Sequence, residues 1–257
     1  PLIKKLKPEI VFTGWGEISA FLSPLIPFFS KTKFITRETN VVSKHVTRKE
    51  ILFFYRFYTF FFFIIVQSDD MKKDLIENFK INPSKIIKIN NPVDFEMINE
   101  LKDEIIEQDY KKSYKKIVSI GNLSQRKGFD LLLNVFQYLK NEPIKLTIFG
   151  DGRDKAELLQ QKSDLQLENV SFFGKVNNPF PFVKQADLFI LSSRYEGFPN
   201  VLLEAGACGT YSLANNCPGG INEIIQQGIN GEIYDVNDAK GFANKIKEIL
   251  DKSYDKE

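Results

Sequence analysis

The chain has 257 residues, 43% hydrophobic and 26% charged, with a net charge of +2; this excludes a disordered chain and allows one large or two modest buried cores. Two cysteines, Cys208 and Cys217, and a single histidine, His45, are too few for a disulfide framework or a zinc site, so a reducing, cytoplasmic compartment is expected. Charge is uneven, with 15 Lys/Arg against 8 Asp/Glu in residues 1–92 and 20 against 25 in residues 93–257. The basic first part is either a plain solvated face or one turned to an anionic partner, a lipid headgroup or a phosphorylated acceptor. Basic and aromatic residues do not interleave as in nucleic-acid binders.

In chain order, short apolar runs at Ile10 to Thr13, Lys33 to Thr36, Phe62 to Gln67 and Ile86 to Asn90 predict strands, with helices between them, most clearly over Asp70 to Phe79. The segment Ile51 to Val66, with Phe60-Phe61-Phe62-Phe63, is too short in its unbroken apolar part to span a bilayer. It predicts an amphipathic helix followed by a buried strand, with peripheral contact through exposed phenylalanines as the alternative. A polar, charge-dense stretch over residues 93–112 predicts a linker. Beyond it, strands are predicted at Ile117 to Ile120, Leu146 to Phe149, Val170 to Phe173, Leu188 to Leu191, Tyr211 to Ala214 and Glu232 to Tyr234. The predicted organisation is therefore α/β: a domain over 1–92, a linker over 93–112 and a second parallel-sheet domain over 113–257.

Three loops in the second array carry the chemistry. Gly121-Asn122-Leu123-Ser124-Gln125-Arg126-Lys127-Gly128 follows a strand and opens a helix, so the Lys127 ammonium and the helix's first amides are expected to face an anion. Glu196-Gly197-Phe198-Pro199-Asn200-Val201-Leu202-Leu203-Glu204 places two acids across a strand-to-helix turn, with Pro199 expected at the first helical position. Cys217-Pro218-Gly219-Gly220-Ile221 forms a glycine turn before a helix. Earlier in the chain, Arg37-Glu38-Thr39-Asn40 ends a strand. No Asp-x-Asp triplet falls at a strand end; Asp69-Asp70 starts a helix, where acids cap and favour the dipole.

In order and spacing, these loops resemble the signatures of the large family of retaining glycosyltransferases that use sugar nucleotides, glycosyl transferases group 1. That resemblance implies the GT-B architecture, two Rossmann-like doubly wound parallel-sheet domains facing a cleft, here with the N-terminal one incomplete and both chain ends missing. It also implies a retaining, metal-independent hexosyl or acetamidosugar transfer from a nucleoside-diphosphate sugar, a UDP-sugar, to a glycan or lipid-linked acceptor in cell-surface polysaccharide or glycoconjugate synthesis. No cofactor is expected, and the place expected is the cytoplasm, at the inner face of the membrane.

By the same resemblance Lys127, with Arg126, stabilises the leaving diphosphate, Glu196 holds hydroxyls of the transferred sugar, and Glu204 accepts hydrogen bonds from the ribose. Gly121, Asn122, Gly197, Phe198, Asn200, Gly219 and Gly220 line the donor, and Val176, in Phe173-Gly174-Lys175-Val176, stands where the family's backbone meets the nucleobase. The family has arginine where this chain has Asn122, and a histidine near the place of Glu38, which is read as a polar contact to the donor sugar. Two rival readings stay open: a chain that binds the nucleotide sugar without transferring it, and a nucleotide-sugar epimerase of the same architecture. A nicotinamide dehydrogenase is disfavoured, because no Gly-x-Gly-x-x-Gly follows a predicted first strand.

Overall fold

A computed structural model describes residues 2–105 and 114–252. The chain divides into two compact units, one comprising Pro1–Asn91, Tyr195–Phe198 and Pro218–Gly220, the other Pro92–Arg194, Pro199–Cys217 and Ile221–Glu257. Each is built on a parallel sheet flanked by helices, and together they are the two Rossmann-like domains of the GT-B fold.

In the first unit the strands β1 (Ile10–Thr13), β2 (Lys33–Arg37), β3 (Phe63–Val66) and β4 (Ile86–Lys88) pair in that order, all parallel. Helices α1 (Leu2–Leu6), α2 (Gly16–Leu22), α3 (Val42–His45), α4 (Lys49–Tyr55) and α5 (Asp69–Phe79) belong to this unit. Its core joins Phe34 and Ile64 of the sheet to Ile51, Tyr55, Tyr58, Phe61, Met71 and Leu75. The helix α5 starts because the Ser68 hydroxyl accepts from the Met71 N–H at 3.3 Å, with Asp69 and Asp70 in the first turn. It stops at Lys80, which is left-handed at φ 57°. Between α4 and β3, Tyr58–Phe60 form a 3-10 turn, so the phenylalanine run contributes only Phe63 to the strand.

The second unit contains β5 (Lys115–Ile120), β6 (Ile144–Phe149), β7 (Val170–Gly174), β8 (Leu188–Leu191), β9 (Ser212–Asn215) and β10 (Gly231–Tyr234), paired in the order β10-β9-β8-β5-β6-β7. Its helices are α6 (Phe95–Leu101), α7 (Phe129–Phe136), α8 (Lys155–Asp164), α9 (Phe180–Lys184), α10 (Asn200–Ala207), α11 (Ile221–Ile224) and α12 (Ala239–Asp251). Strand β8 is apolar throughout because both of its faces are covered. The helix α12 turns Phe242, Ala243, Ile246, Ile249 and Leu250 into the core, where it packs against α7, a helical spacing. Cys208 and Cys217 are buried, and burial pushes the Cys208 thiol up to about 11.

Two local expectations are corrected. The stretch 93–112 contains α6, capped by the Asp94 carboxylate accepting from Met97 N–H at 2.9 Å and buried through Ile98. One buried side chain is too little to produce a visible period; residues 106–113 of that stretch lie outside the described residues. Pro199 is the residue before α10 rather than its first, with extended φ −75° and ψ 94°. Among the described residues, no helix is long and apolar enough to cross a membrane.

Candidate functional site

In the six-stranded sheet the winding reverses between β5 and β8: the chain runs outward from β5 to β6 and β7, then returns to β8 on the other side. Loops leaving the carboxyl ends of two such strands diverge and leave a crevice. Here those loops are the segment from Gly121 to Gly128 and the segment that begins at Ser192. The two strands are tied by the Ser119 hydroxyl, which donates to the Ile190 carbonyl at 2.7 Å, and by paired bonds in which Lys116 N–H donates to the Asp187 carboxylate and Asp187 N–H to the Lys116 carbonyl.

The loops are bonded to each other as well. Ser192 Oγ donates to the Lys127 carbonyl at 2.9 Å, and Arg194 N–H donates to the Arg126 carbonyl at 2.7 Å. The Arg194 guanidinium grips both oxygens of Asp130, in the first turn of α7, at 2.7 and 2.6 Å. Burial works against the Asp130 carboxylate, but the bonded guanidinium outweighs it and holds the carboxyl below the usual range. Gly128 has φ +65°, and a Cβ there would lie 2.1 Å from the Ser192 carbonyl oxygen, so no side chain fits. This left-handed residue also separates Lys127 from α7: Gln125–Lys127 form a 3-10 turn of their own, so Lys127 precedes the helix rather than lying in its first turn.

The side chain of Lys127 lies along Gly121, where an added Cβ would stand 3.3 Å from its Cγ, Cδ and Cε. Burial raises the Glu204 carboxyl above its ordinary range, and the charge of Lys127 partly offsets that, so these two predicted residues are electrostatic neighbours. Beside them, at the ends of β5, β6 and β7, a cavity of about 310 Å³ is lined by Gly121, Asn122, Gly150, Asp151, Lys175 and Val176 among others. The second unit therefore gathers Gly121, Asn122 and Val176 at this cavity and lays Lys127 along Gly121, with the Lys127 charge reaching the Glu204 carboxyl. Asn200 begins α10 and is exposed, and Arg126 is half-buried in the 3-10 turn beside Lys127.

Glu196, Gly197, Phe198, Gly219, Gly220 and Glu38 are grouped in the first unit. Glu196 is buried and its N–H donates to the Pro218 carbonyl at 2.9 Å. Gly219 adopts φ +135°, with its N–H donating to Asp70 Oδ2 at 2.8 Å; Gly220 N–H donates to the Gly197 carbonyl at 2.9 Å. Both glycine amides are thus engaged within the unit, and Asp70 serves this loop while Ser68 caps α5.

Glu38 follows β2 and is only 4% exposed. The Tyr58 hydroxyl is in hydrogen-bond contact with both Glu38 Oε1 and the Gly16 carbonyl, the latter at 2.9 Å. A hydroxyl has one proton, so a protonated Glu38 donating to the Tyr58 oxygen leaves that proton for Gly16. Burial first, with a small push from Asp74, raises the Glu38 carboxyl to about 7 against the opposing hydrogen bonds of Tyr58 and Tyr55. This group lines a cavity of about 440 Å³ with Trp15, Thr39, Asn40, His45 and Tyr55.

Sequence reasoning missed Lys175 and Asp151, the tyrosine pair around Glu38, and the Arg194–Asp130 clamp. Lys175 stood inside a strand end already singled out. The others join positions too far apart for spacing to show.

The model of the family glycosyl transferases group 1 matches residues 102–257. The chain is 30% identical over 241 residues to an uncharacterized glycosyltransferase of Methanocaldococcus jannaschii, covering 87% of this chain and 59% of that protein. It is 32% identical over 180 residues to the N-acetylgalactosamine-N,N'-diacetylbacillosaminyl-diphospho-undecaprenol 4-alpha-N-acetylgalactosaminyltransferase of Campylobacter jejuni, covering 70% and 48%. Among solved structures, Anabaena HepE in complex with UDP superposes with a TM-score of 0.80 at 19% identity, covering 97% of this chain and 72% of HepE. A glycosyltransferase from Rickettsia africae gives 0.78 at 22% identity, covering 97% and 68%. The chain thus spans about half the length of the curated relatives it matches. With a family model over more than half of its residues and the two parallel sheets of the GT-B fold, this chain belongs to the glycosyl transferases group 1.

Proposed function

We propose that the second unit binds a nucleoside-diphosphate sugar, a UDP-sugar, and that the whole protein transfers the sugar with retention to a glycan or lipid-linked acceptor in polysaccharide or glycoconjugate synthesis. What supports this reading is the placing of Lys127 along Gly121 at the β5/β8 reversal, beside the cavity lined by Gly121, Asn122 and Val176, with its charge acting on the Glu204 carboxyl. Support for uridine comes from the fold neighbour HepE, solved with UDP.

In the transfer the bond between the anomeric carbon and the diphosphate oxygen breaks, the acceptor oxygen bonds to that carbon, and the acceptor's proton leaves with the diphosphate. Charge grows on the diphosphate, and the Lys127 ammonium is the group to stabilise it without a metal ion or cofactor. Arg126 is assigned the same charge at longer range. Glu204 accepts from the ribose hydroxyls, for which it must be ionised. Val176 and its strand end meet the base through main-chain groups, and Asn200 presents the first amides of α10. In the first unit, Glu196 and Glu38 are assigned to sugar hydroxyls, with Gly197, Phe198, Gly219 and Gly220 shaping the backbone around Glu196.

One observation favours binding without turnover: Asn122 lines the cavity where the family has arginine. Lys175 lines the same cavity and supplies a cation there. Thermal-shift measurements against uridine, adenosine and guanosine diphosphates and their sugars test the site, since a specific ligand raises the melting temperature. Stabilisation by none of them sinks it. Release of free nucleoside diphosphate with an acceptor extract separates transfer from holding.

A further inference from the structure

Glu196 owes its place to a stack of close backbone contacts in the first unit. Its turn packs against the loop after β2: a Cβ on Gly197 would stand 2.1 Å from the Thr39 carbonyl oxygen. It packs against the glycine pair as well, since a Cβ on Gly219 would stand 2.5 Å from the Glu196 carbonyl oxygen. The bonds from Glu196 N–H to the Pro218 carbonyl and from Gly220 N–H to the Gly197 carbonyl, both 2.9 Å, join the turn to the pair. Glycines have no side chain to pack and the widest backbone freedom, so the shape of the pair depends on what binds its backbone. Asp70 does so from α5: its Oδ2 accepts from the Gly219 N–H at 2.8 Å. That helix is a firm base, capped by Ser68 and sunk into the core of the unit through Met71 and Leu75.

Helix capping does not account for this bond. Ser68 already caps α5, and the neighbouring acid Asp69, in the same first turn, pairs with Lys88 Nζ at 2.7 Å. Both acids gain from the positive end of the helix dipole. Of the two, Asp70 is the one bonded to Gly219, and a carboxylate accepts an amide more strongly than a neutral oxygen does.

We propose that Asp70 is a positioning residue for Glu196: its bond to the Gly219 amide fixes the glycine pair against the acidic turn, and through the pair the place of the Glu196 carboxylate. Since this rests on the assignment of Glu196 to hydroxyls of the transferred sugar, Asp70 should govern binding of the sugar and leave the nucleotide alone.

Calorimetry with uridine diphosphate, UDP-glucose and UDP-N-acetylglucosamine tests it on the chain and on Asp70→Ala, Asp70→Asn and Asp69→Ala. Asp70→Ala should weaken the sugar nucleotide that the parent binds about tenfold, the scale of a displaced hydrogen bond to a charged group, with uridine diphosphate affinity unchanged. Asp70→Asn keeps an oxygen for Gly219 and should restore most of the loss. Asp69→Ala removes the same charge from the same turn of α5 and should leave both affinities as in the parent. Without any ligand, exchange of the Gly219 amide hydrogen followed by NMR should quicken roughly tenfold in Asp70→Ala and stay as in the parent in Asp69→Ala. Sugar-nucleotide affinity in Asp70→Ala equal to the parent's, an equal fall in uridine diphosphate affinity, or an unchanged Gly219 exchange rate overturns the positioning role and leaves the nucleotide site standing. A parent that binds uridine diphosphate but neither sugar nucleotide removes the sugar assignment of Glu196 and the role of Asp70 together. One that binds none of the three sinks the nucleotide site as well.

Discussion

Arg194 holds Asp130 through two short hydrogen bonds, at 2.7 and 2.6 Å, and so fastens the loop after β8 to the first turn of α7. Neither side chain needs to touch a ligand for this to matter, because Lys127 and Gly128 lie between Gln125, whose carbonyl Arg194 also binds, and Asp130. The pair is part-exposed, so solvent screens it. A double-mutant cycle with Arg194→Gln and Asp130→Asn should give a coupling of about 1 kcal/mol in urea denaturation. The single changes should lower uridine diphosphate affinity severalfold, and a ligand affinity unmoved by either would show that the clamp is remote from the site.

Lys127→Ala should weaken uridine diphosphate binding about tenfold or more in calorimetry, the scale of a lost hydrogen bond to a charged group. Glu204→Gln should weaken it less. Because Glu204 is raised by burial and must be ionised to accept from a diol, affinity of the parent chain should fall on acidification through that raised pKa. In Glu204→Gln that decline should vanish. A decline that persists assigns it elsewhere.

Glu38 gives a pH dependence of stability with a defined sign. Its folded pKa of about 7 lies above the ordinary 4.5, so the folded state holds the proton more tightly. The contribution is complete below the ordinary value and is lost as pH rises through about 7, amounting to roughly 3 kcal/mol in all. Glu38→Gln keeps a donor for Tyr58 and has no charge to bury. Urea midpoints should therefore diverge with pH, the variant being the more stable at about pH 8 and near the parent at about pH 5. Parallel profiles would mean that Glu38 is ionised in the folded chain throughout.

Gly128→Ala places a methyl group against the Ser192 carbonyl in a left-handed backbone. A cost of about 2–4 kcal/mol is expected from strain and displacement together, read as a lowered urea midpoint. Gly206→Ala, at a helical position where an added Cβ meets nothing within 4 Å, serves as the control and should be neutral or slightly stabilising.

The strands were legible because parallel sheets covered on both faces leave unbroken apolar runs, as at Leu188 to Leu191. The three loops were legible because glycine and proline punctuate them. Strand ends moved by a residue or two, as at Ile89 and Asn90, which follow β4, although the Ile89 N–H still donates to the Val66 carbonyl at 2.9 Å. The helix α6 was hidden in the charge-dense stretch because only Ile98 of its seven residues is buried. Lys127 was legible because it closes a glycine-bounded loop after a strand, and its charge acts on the Glu204 carboxyl. Tyr55 and Tyr58 were absorbed into an aromatic run whose periodicity says nothing about which hydroxyl faces Glu38. Arg194 looked like an ordinary polar residue, since its partner Asp130 is 64 positions earlier.

The bond from Ser119 to Ile190 spans 71 residues. As the chain emerges from the ribosome, β5 can pair with β6 early, but its other edge stays bare until the polypeptide beyond Leu191 has been made. The wall behind Lys127 is thus one of the last parts of this unit to close, and a nascent chain halted before β8 offers an open strand to any passing partner.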